Sequence, residues 1–200
     1  MRAFVDRFVS WISVVIAIVL LVAGGLLMWA HSFIGDQVHT QLSQQQITMP
    51  GGTALTTPLM KKELGKYSGQ TMTTGPQAKA YADYFIAAHL KEIGGGKTYA
   101  QISTEQMAAV AANPNSATAQ KLTEIKTELF QGNTLRGLLL YGYAFATMGT
   151  IAGLAAFASF AGAIVLLILA GLGLWHAGRK NATSTAASTG GAAVPEPQIV

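Results

Sequence analysis

The sequence predicts an all-α membrane protein in which two transmembrane helices extend into a small extracytoplasmic helical bundle. Two segments, residues 8–35 and 137–178, contain no Asp, Glu, Lys or Arg, and uncharged runs of that length are typical of helices that cross a bilayer. The region between them carries repeated helix-capping signals. No alternating run of Val, Ile and Thr indicates a strand.

The composition agrees with a membrane location and excludes several functions. Of 200 residues, 50% are hydrophobic and only 11% are charged, whereas soluble domains carry about 25% charged residues. The net charge of +4 contains no block of basic residues, so we expect no nucleic-acid partner. Because the chain has no cysteine, disulfides, thiolate metal sites and a thiol nucleophile are excluded.

Residues 8–30 are predicted to form the first transmembrane helix, after a cytoplasmic N-terminus at residues 1–7. The segment from Trp11 to Trp29 would span roughly 27 Å as a helix, close to one bilayer core, and tryptophan is typical of both membrane interfaces. A cleaved signal peptide would have a shorter apolar region and a small-x-small cleavage site. Residues 28–30 (MWA) do not fit such a site, so we expect an uncleaved signal anchor.

Residues 31–135 are predicted to form the extracytoplasmic helical domain. Ile34, Val38 and Leu42 recur at four-residue intervals among polar residues, which indicates that the first helix continues outside the membrane with one apolar stripe. Residues 49–52 (MPGG) are predicted to end this helix.

Ser and Thr caps predict the further helices of the domain. The starts are Thr57 followed by Pro58, Thr74 in a capping box with Gln77, Ser103 in a capping box with Gln106, and Ser116. The matching ends are Gly65, Gly94 to Gly96, Asn113 with Pro114, and Gly132. The clearest helix, after Thr74, has a predicted apolar face of Ala78, Ala82, Phe85, Ile86, His89 and Ile93.

Thr134 is predicted to cap a long final helix, with a membrane-proximal part at residues 136–150 and the second transmembrane helix at 151–176. Residues 138–175 would reach about 57 Å as one helix, longer than a bilayer core of about 30 Å. Either the helix projects from the membrane or the segment folds into a hairpin. Residues 155–160 contain no Pro, Gly, Asn or Asp, which favours the single helix and leaves the hairpin as the alternative.

Charged residues predict the orientation. Arg2 and Arg7 precede the first apolar segment, and Arg179 and Lys180 follow the second. Because cytoplasmic flanks are enriched in Lys and Arg, we expect a bacterial plasma-membrane protein with both termini in the cytoplasm. The tail, residues 177–200, is rich in small and polar residues and is predicted to be disordered.

Small residues within the apolar segments indicate close helix packing, because Gly, Ala and Ser let helix backbones approach in lipid. The predicted helix-packing residues are Gly24 and Gly25 in the first segment and Gly149, Gly153, Ala156, Ser159 and Ala163 in the second.

No catalytic, cofactor-binding or metal site is predicted. Residues 96–98 (GKT) resemble the end of a phosphate-binding loop, but Lys91 stands where that motif needs its first glycine. The histidines lack a third marked metal ligand; they are His31, His39, His89 and His176. No Gly-x-Ser-x-Gly motif is present.

Three short stretches resemble a family of small two-pass membrane proteins from high-GC Gram-positive bacteria. They are residues 74–82 (TGPQAKAYA), 96–99 (GKTY) and 135–139 (LRGLL), and the resemblance covers about residues 31–178. It implies no established function. Some members carry an automatic ring-opening dioxygenase label, which the absence of a marked metal-ligand cluster in this sequence does not support.

These patterns predict a non-enzymatic accessory or scaffold subunit that binds a partner through its extracytoplasmic domain and its spans. The predicted partners are the lipid bilayer and another membrane protein or a homo-oligomer. The alternative is a membrane sensor whose helical ectodomain binds a ligand and signals through a separate partner. An enzyme acting on an extracytoplasmic or lipid substrate is a third hypothesis.

Overall fold

Helices form almost the whole of the computed structural model, which describes residues 2–189, with side chains described at Val5 and from Phe8 to His176. Within this part of the chain there is no strand, only one isolated antiparallel bridge between Thr48 and Thr71. The helices are α1 (Arg2–Gln44), α2 (Pro58–Leu64), α3 (Gly75–Ala80), a π-helix (Tyr81–Ile86), α4 (Ala87–Ile93), α5 (Tyr99–Ala112) and α6 (Ala117–Thr189), with short 3-10 turns at Gly52–Ala54 and Gly65–Tyr67.

Two of these helices, α1 and α6, contain segments long and apolar enough to cross a membrane. The chain divides into two units. The first, here called the helical pair, combines the described parts of Met1–Trp29 and Ala152–Val200. The second, here called the central domain, is Ala30–Ile151.

The central domain has one hydrophobic core beneath its short helices. Its best-buried side chains include Met49, Leu64, Met72 and Leu129, each at most 2% exposed. The start of α2 agrees with the prediction, because Thr57 Oγ1 accepts a hydrogen bond from the Met60 amide at 3.1 Å. The predicted capping box at Thr74 is also present.

Two predicted helix starts are wrong. The capping box that opens α5 is Thr98 with Gln101, not Ser103 with Gln106. Gly95 and Gly96, in the turn before α5, have positive φ angles. Thr98 follows them in extended conformation and can therefore cap the helix five residues before Ser103. Ser103 therefore lies inside the helix.

The second error is the break predicted between Gly132 and Thr134, because α6 runs without interruption from Ala117. Asn133 Nδ2 donates to Leu129 O and Thr134 Oγ1 donates to Phe130 O, both at 2.8 Å. These side chains thus bond to the preceding turn of one continuous helix instead of capping a new one. Gly132 has a packing role, since a Cβ there would collide with the side chain of Leu90.

α6 also continues through residues 155–160, so the alternative hairpin turn does not form. Its backbone is helical as far as Thr189, where the sequence predicts a disordered tail. The remainder of that predicted tail, residues 190–200, lies outside the described residues. α1 ends at Gln44, before the predicted stop at residues 49–52, and Gln46 then has a φ of 52°.

The π-helix changes which residues of the central helix reach the core. Its wider turn brings Ala78, Ala82, Ile86 and Leu90, at four-residue intervals, to one buried face. The predicted face is therefore wrong at its C-terminal end, where His89 and Ile93 are exposed.

Candidate helix-packing and binding surfaces

Small residues at seven-residue intervals form the buried face of the helical pair. In α1 the buried residues are Ser10, Ala17 and Gly24, and in α6 they include Ala156, Ala163 and Ala170. Because the described part of this unit consists of these two helical segments, each buries the other's small residues. A seven-residue period keeps one face of each helix toward its partner.

The contacts of individual residues show that the two segments run antiparallel. A Cβ on Gly24 would lie 2.8 Å from Phe160 Cε1, and one on Gly162 would lie 3.4 Å from Leu20 Cδ1. Toward the other end, Gly173 packs against the side chain of Ser10. Positions rise along α1 as they fall along α6, so the small residues allow a close antiparallel contact.

The other predicted packing residues of this unit differ in their surroundings. Gly153 is buried and Ser159 is half-buried, with its hydroxyl donating to Ala155 O at 2.9 Å. Gly25 is exposed, and a Cβ there would meet nothing within 4 Å. The sequence prediction missed Ser10, Ala17 and Ala170, although their seven-residue spacing from Gly24 and Ala163 was a readable signal.

Gly149, the last of the predicted packing residues, lies in the central domain. A Cβ on it would lie 3.0 Å from Ile34 Cγ2. Its carbonyl oxygen is 2.7 Å from His31 Nδ1, so the close approach also permits a hydrogen bond between α1 and α6. His31 therefore links α1 to α6 through this hydrogen bond.

An ion-pair network joins α6 to the π-helix. Arg136 Nη2 lies 3.0 Å from Asp83 Oδ1, and Arg136 Nε donates to Ala82 O at 3.2 Å. Lys79 pairs with the other oxygen of Asp83, and its ammonium lies 5.4 Å from the centre of the Tyr143 ring. Ala82 O also accepts the Ala87 amide, so Arg136 adds a second donor to a carbonyl within the π-helix.

The network shifts the pKa values of Asp83 and Lys79. Burial alone would raise the pKa of Asp83, but the hydrogen bonds and positive charges of Lys79 and Arg136 outweigh it, and the pKa is lowered. The hydrogen bond to Asp83 raises the pKa of Lys79. Both ions are thus favoured over the neutral pH range.

Asp83→Asn should lower the free energy of unfolding at neutral pH by about 1–2 kcal/mol, a range that allows for partial exposure of the pair. A lowered pKa in the folded protein means that the contribution is present above about pH 4 and is lost as the pH falls further. Chemical denaturation at pH 7 and pH 3 should therefore show a difference between variant and wild type that shrinks in acid. An equal difference at both pH values would contradict the assigned role of the charge.

A cleft with a volume of ≈ 810 Å³ adjoins this network, and both polar residues, including Asp83, and apolar residues such as Leu59 and Met60 line it. It is lined by hydroxyl, carboxylate, ammonium and imidazole groups, among them Thr57, Tyr84, His89, Lys91 and Glu92. His89 Nδ1 is 2.8 Å from Phe85 O. The cleft could hold a small polar molecule by hydrogen bonds.

The motifs considered in the sequence have structural roles here. Residues 94–97 form the turn between α4 and α5, and Lys97 Nζ lies 2.8 Å from Glu105 Oε2. Within the described part of the chain, no three His, Cys, Asp or Glu side chains are grouped so that they could hold a metal ion.

Comparison of the chain with protein-family models, curated proteins and solved structures found no match.

Proposed function

We propose that this chain is a non-enzymatic integral membrane protein, an accessory or scaffold subunit whose central domain binds a partner outside the cytoplasm. One observation carries the proposal: the helical pair has small residues inside and large apolar residues outside. Trp11, Val19, Leu154 and Phe157 are each at least 60% exposed. Such a surface is costly in water, whereas lipid solvates it and small residues then allow the helices to associate.

The proposed orientation has both termini in the cytoplasm, as the basic flanks of the two apolar segments favour. Reporter fusions at residue 5 and after Val200 should both give cytoplasmic signals, and a fusion in the turn at residues 94–97 should give an external one. A fusion inserted in α6 at Gly137, inside the central domain, provides a matched external position. A cytoplasmic signal from the turn would overturn the proposed topology, and recovery of the chain in the soluble fraction would overturn the membrane assignment.

The accessory role predicts a specific protein partner of the central domain. The exposed rings of Tyr99 and Phe130, with centroids 6.1 Å apart, offer a place for a photoreactive side chain. Crosslinking in native membranes followed by mass spectrometry should recover one recurrent protein from Tyr99. A photoreactive residue at Trp11 provides the control for general membrane neighbours. An identical set of products from both positions would count against a partner of the central domain.

The polar groups in the cleft beside Asp83 favour the membrane sensor as a second candidate. A sensor should bind a small polar molecule that raises the melting temperature of the purified chain, and Glu92→Ala should reduce that shift. Glu63→Ala removes a carboxylate outside the cleft lining and provides the control. If a broad panel of polar metabolites gives no shift, the scaffold role is favoured.

A further inference from the structure

An apolar groove in the central domain has no occupant among the residues that the structure describes. Ile34, Val38 and Leu42 of α1 and Leu139 and Gly142 of α6 line it, and its volume is ≈ 640 Å³. Large apolar side chains also line it while remaining between 42% and 61% exposed: Phe33, Leu135, Leu138, Phe145 and Met148. A contiguous apolar patch of this kind is typical of an interaction site.

The polar part of the groove consists of side-chain amides. Gln37 and Gln41 lie four residues apart on one face of α1, and Gln45 follows the end of that helix. None of the described residues that line the groove is Asp, Glu, Lys or Arg. A carboxamide both donates and accepts hydrogen bonds, so it can pair with an identical group. A charged side chain in the same place would repel its own copy.

We propose that the occupant is a second copy of this chain, packed groove against groove around a twofold axis. Residues near such an axis meet their own counterparts, which amides tolerate and like charges do not. Five half-exposed large side chains offer roughly 500 Å² of apolar surface, taking about 150–250 Å² for a fully buried one. With the glutamines, this approaches the 800 Å² or so per partner of a standard interface.

The orientation of the two copies rests on the proposed membrane anchoring. Copies inserted in one membrane with the same topology have their twofold axis along the membrane normal, so Gln41 of one copy lies across the axis from Gln41 of the other, at the same depth. Because the chain has no cysteine, Gln41→Cys introduces a single thiol. Oxidation in native membranes should link Gln41→Cys into a covalent dimer, whereas Ser32→Cys, on the same helix and outside the groove lining, should stay uncrosslinked.

A second variant tests the interface without using the membrane. Light scattering of the chain in detergent should give twice the monomer mass, and Leu138→Lys should reduce it to the monomer. Thr147→Lys should remain a dimer, because Thr147 is exposed and its hydroxyl bonds only to Tyr143 O of its own helix. Circular dichroism should show equal helicity for both variants.

The alternative occupants give different results. A wild-type monomer that carries a bound lipid in native mass spectrometry would overturn the proposal in favour of a hydrocarbon chain. Dimerisation of Leu138→Lys, or equal crosslinking of Gln41→Cys and Ser32→Cys, would also overturn it. A monomer that is still embedded in the membrane leaves the proposed function intact, so the two failures are distinguishable.

Discussion

Gly24→Leu should destabilise the helical pair, while Gly25→Leu should leave it intact. The leucine Cβ at position 24 would lie 2.8 Å from a ring carbon of Phe160, and at position 25 it would meet nothing within 4 Å. Overpacking costs about 1–3 kcal/mol. At either position the loss of glycine should favour the helix by about 0.8–1 kcal/mol, so the neighbouring substitution isolates the contact.

The measurement is a thermal or denaturant unfolding transition of the purified chain in detergent, followed by circular dichroism. Gly25→Leu should unfold at a midpoint no lower than that of wild type, and Gly24→Leu should unfold earlier than Gly25→Leu. If Gly24→Leu and Gly25→Leu unfold at the same midpoint, the small-residue face does not hold the two helices together. If that shared midpoint is also lower than that of wild type, α1 is sensitive to any large side chain at this position.

Leu129→Ala should be the most damaging single change in the central domain. Leu129 is 2% exposed, and its Cδ1 lies 3.5 Å from the position of a Cβ on Gly94, so it covers the turn after α4. Removal of a buried leucine side chain costs about 2–5 kcal/mol, depending on how far the cavity collapses.

Phe130→Ala provides the matched control, because Phe130 is the next residue of the same helix and is 59% exposed. It should lose only part of a ring contact with Tyr99, about 0.5–1.5 kcal/mol. Denaturant midpoints with an unchanged slope would establish the ranking. The reverse ranking would show that α6 has a different rotational register against the core.

Local signals made the helical class and several helix ends predictable. Thr57, Thr74 and Ser116 are caps in both the sequence prediction and the structure, because a cap depends on residues only two or three positions away. The two long apolar helices were also predictable, since length and lack of charge are properties of the segment itself.

The errors arose where distant contacts decide the local structure. Gly132 looks like a helix end, yet it lies within α6, where its missing side chain leaves room for Leu90. The π-helix has no signal in its own composition, and its carbonyl at Ala82 is held by Arg136, 54 positions away. The helix-packing residues were partly predictable because their seven-residue period is local, whereas the exposure of Gly25 depends on the opposing helix.

The π-helix sets the register in which α4, the segment after it, packs against the core. A change of one residue in its hydrogen bonding would give a second register. Return of Tyr81–Ile86 to ordinary α-helical bonding would rotate α4 by about 100°. That rotation would carry Leu90 out of the core and turn a different face of α4, with His89 or Ile93, toward it. The guanidinium of Arg136 opposes this change because it bonds both to Ala82 O and to Asp83. Arg136 on α6 thus favours the register in which α4 turns Leu90 toward the core and His89 toward solvent.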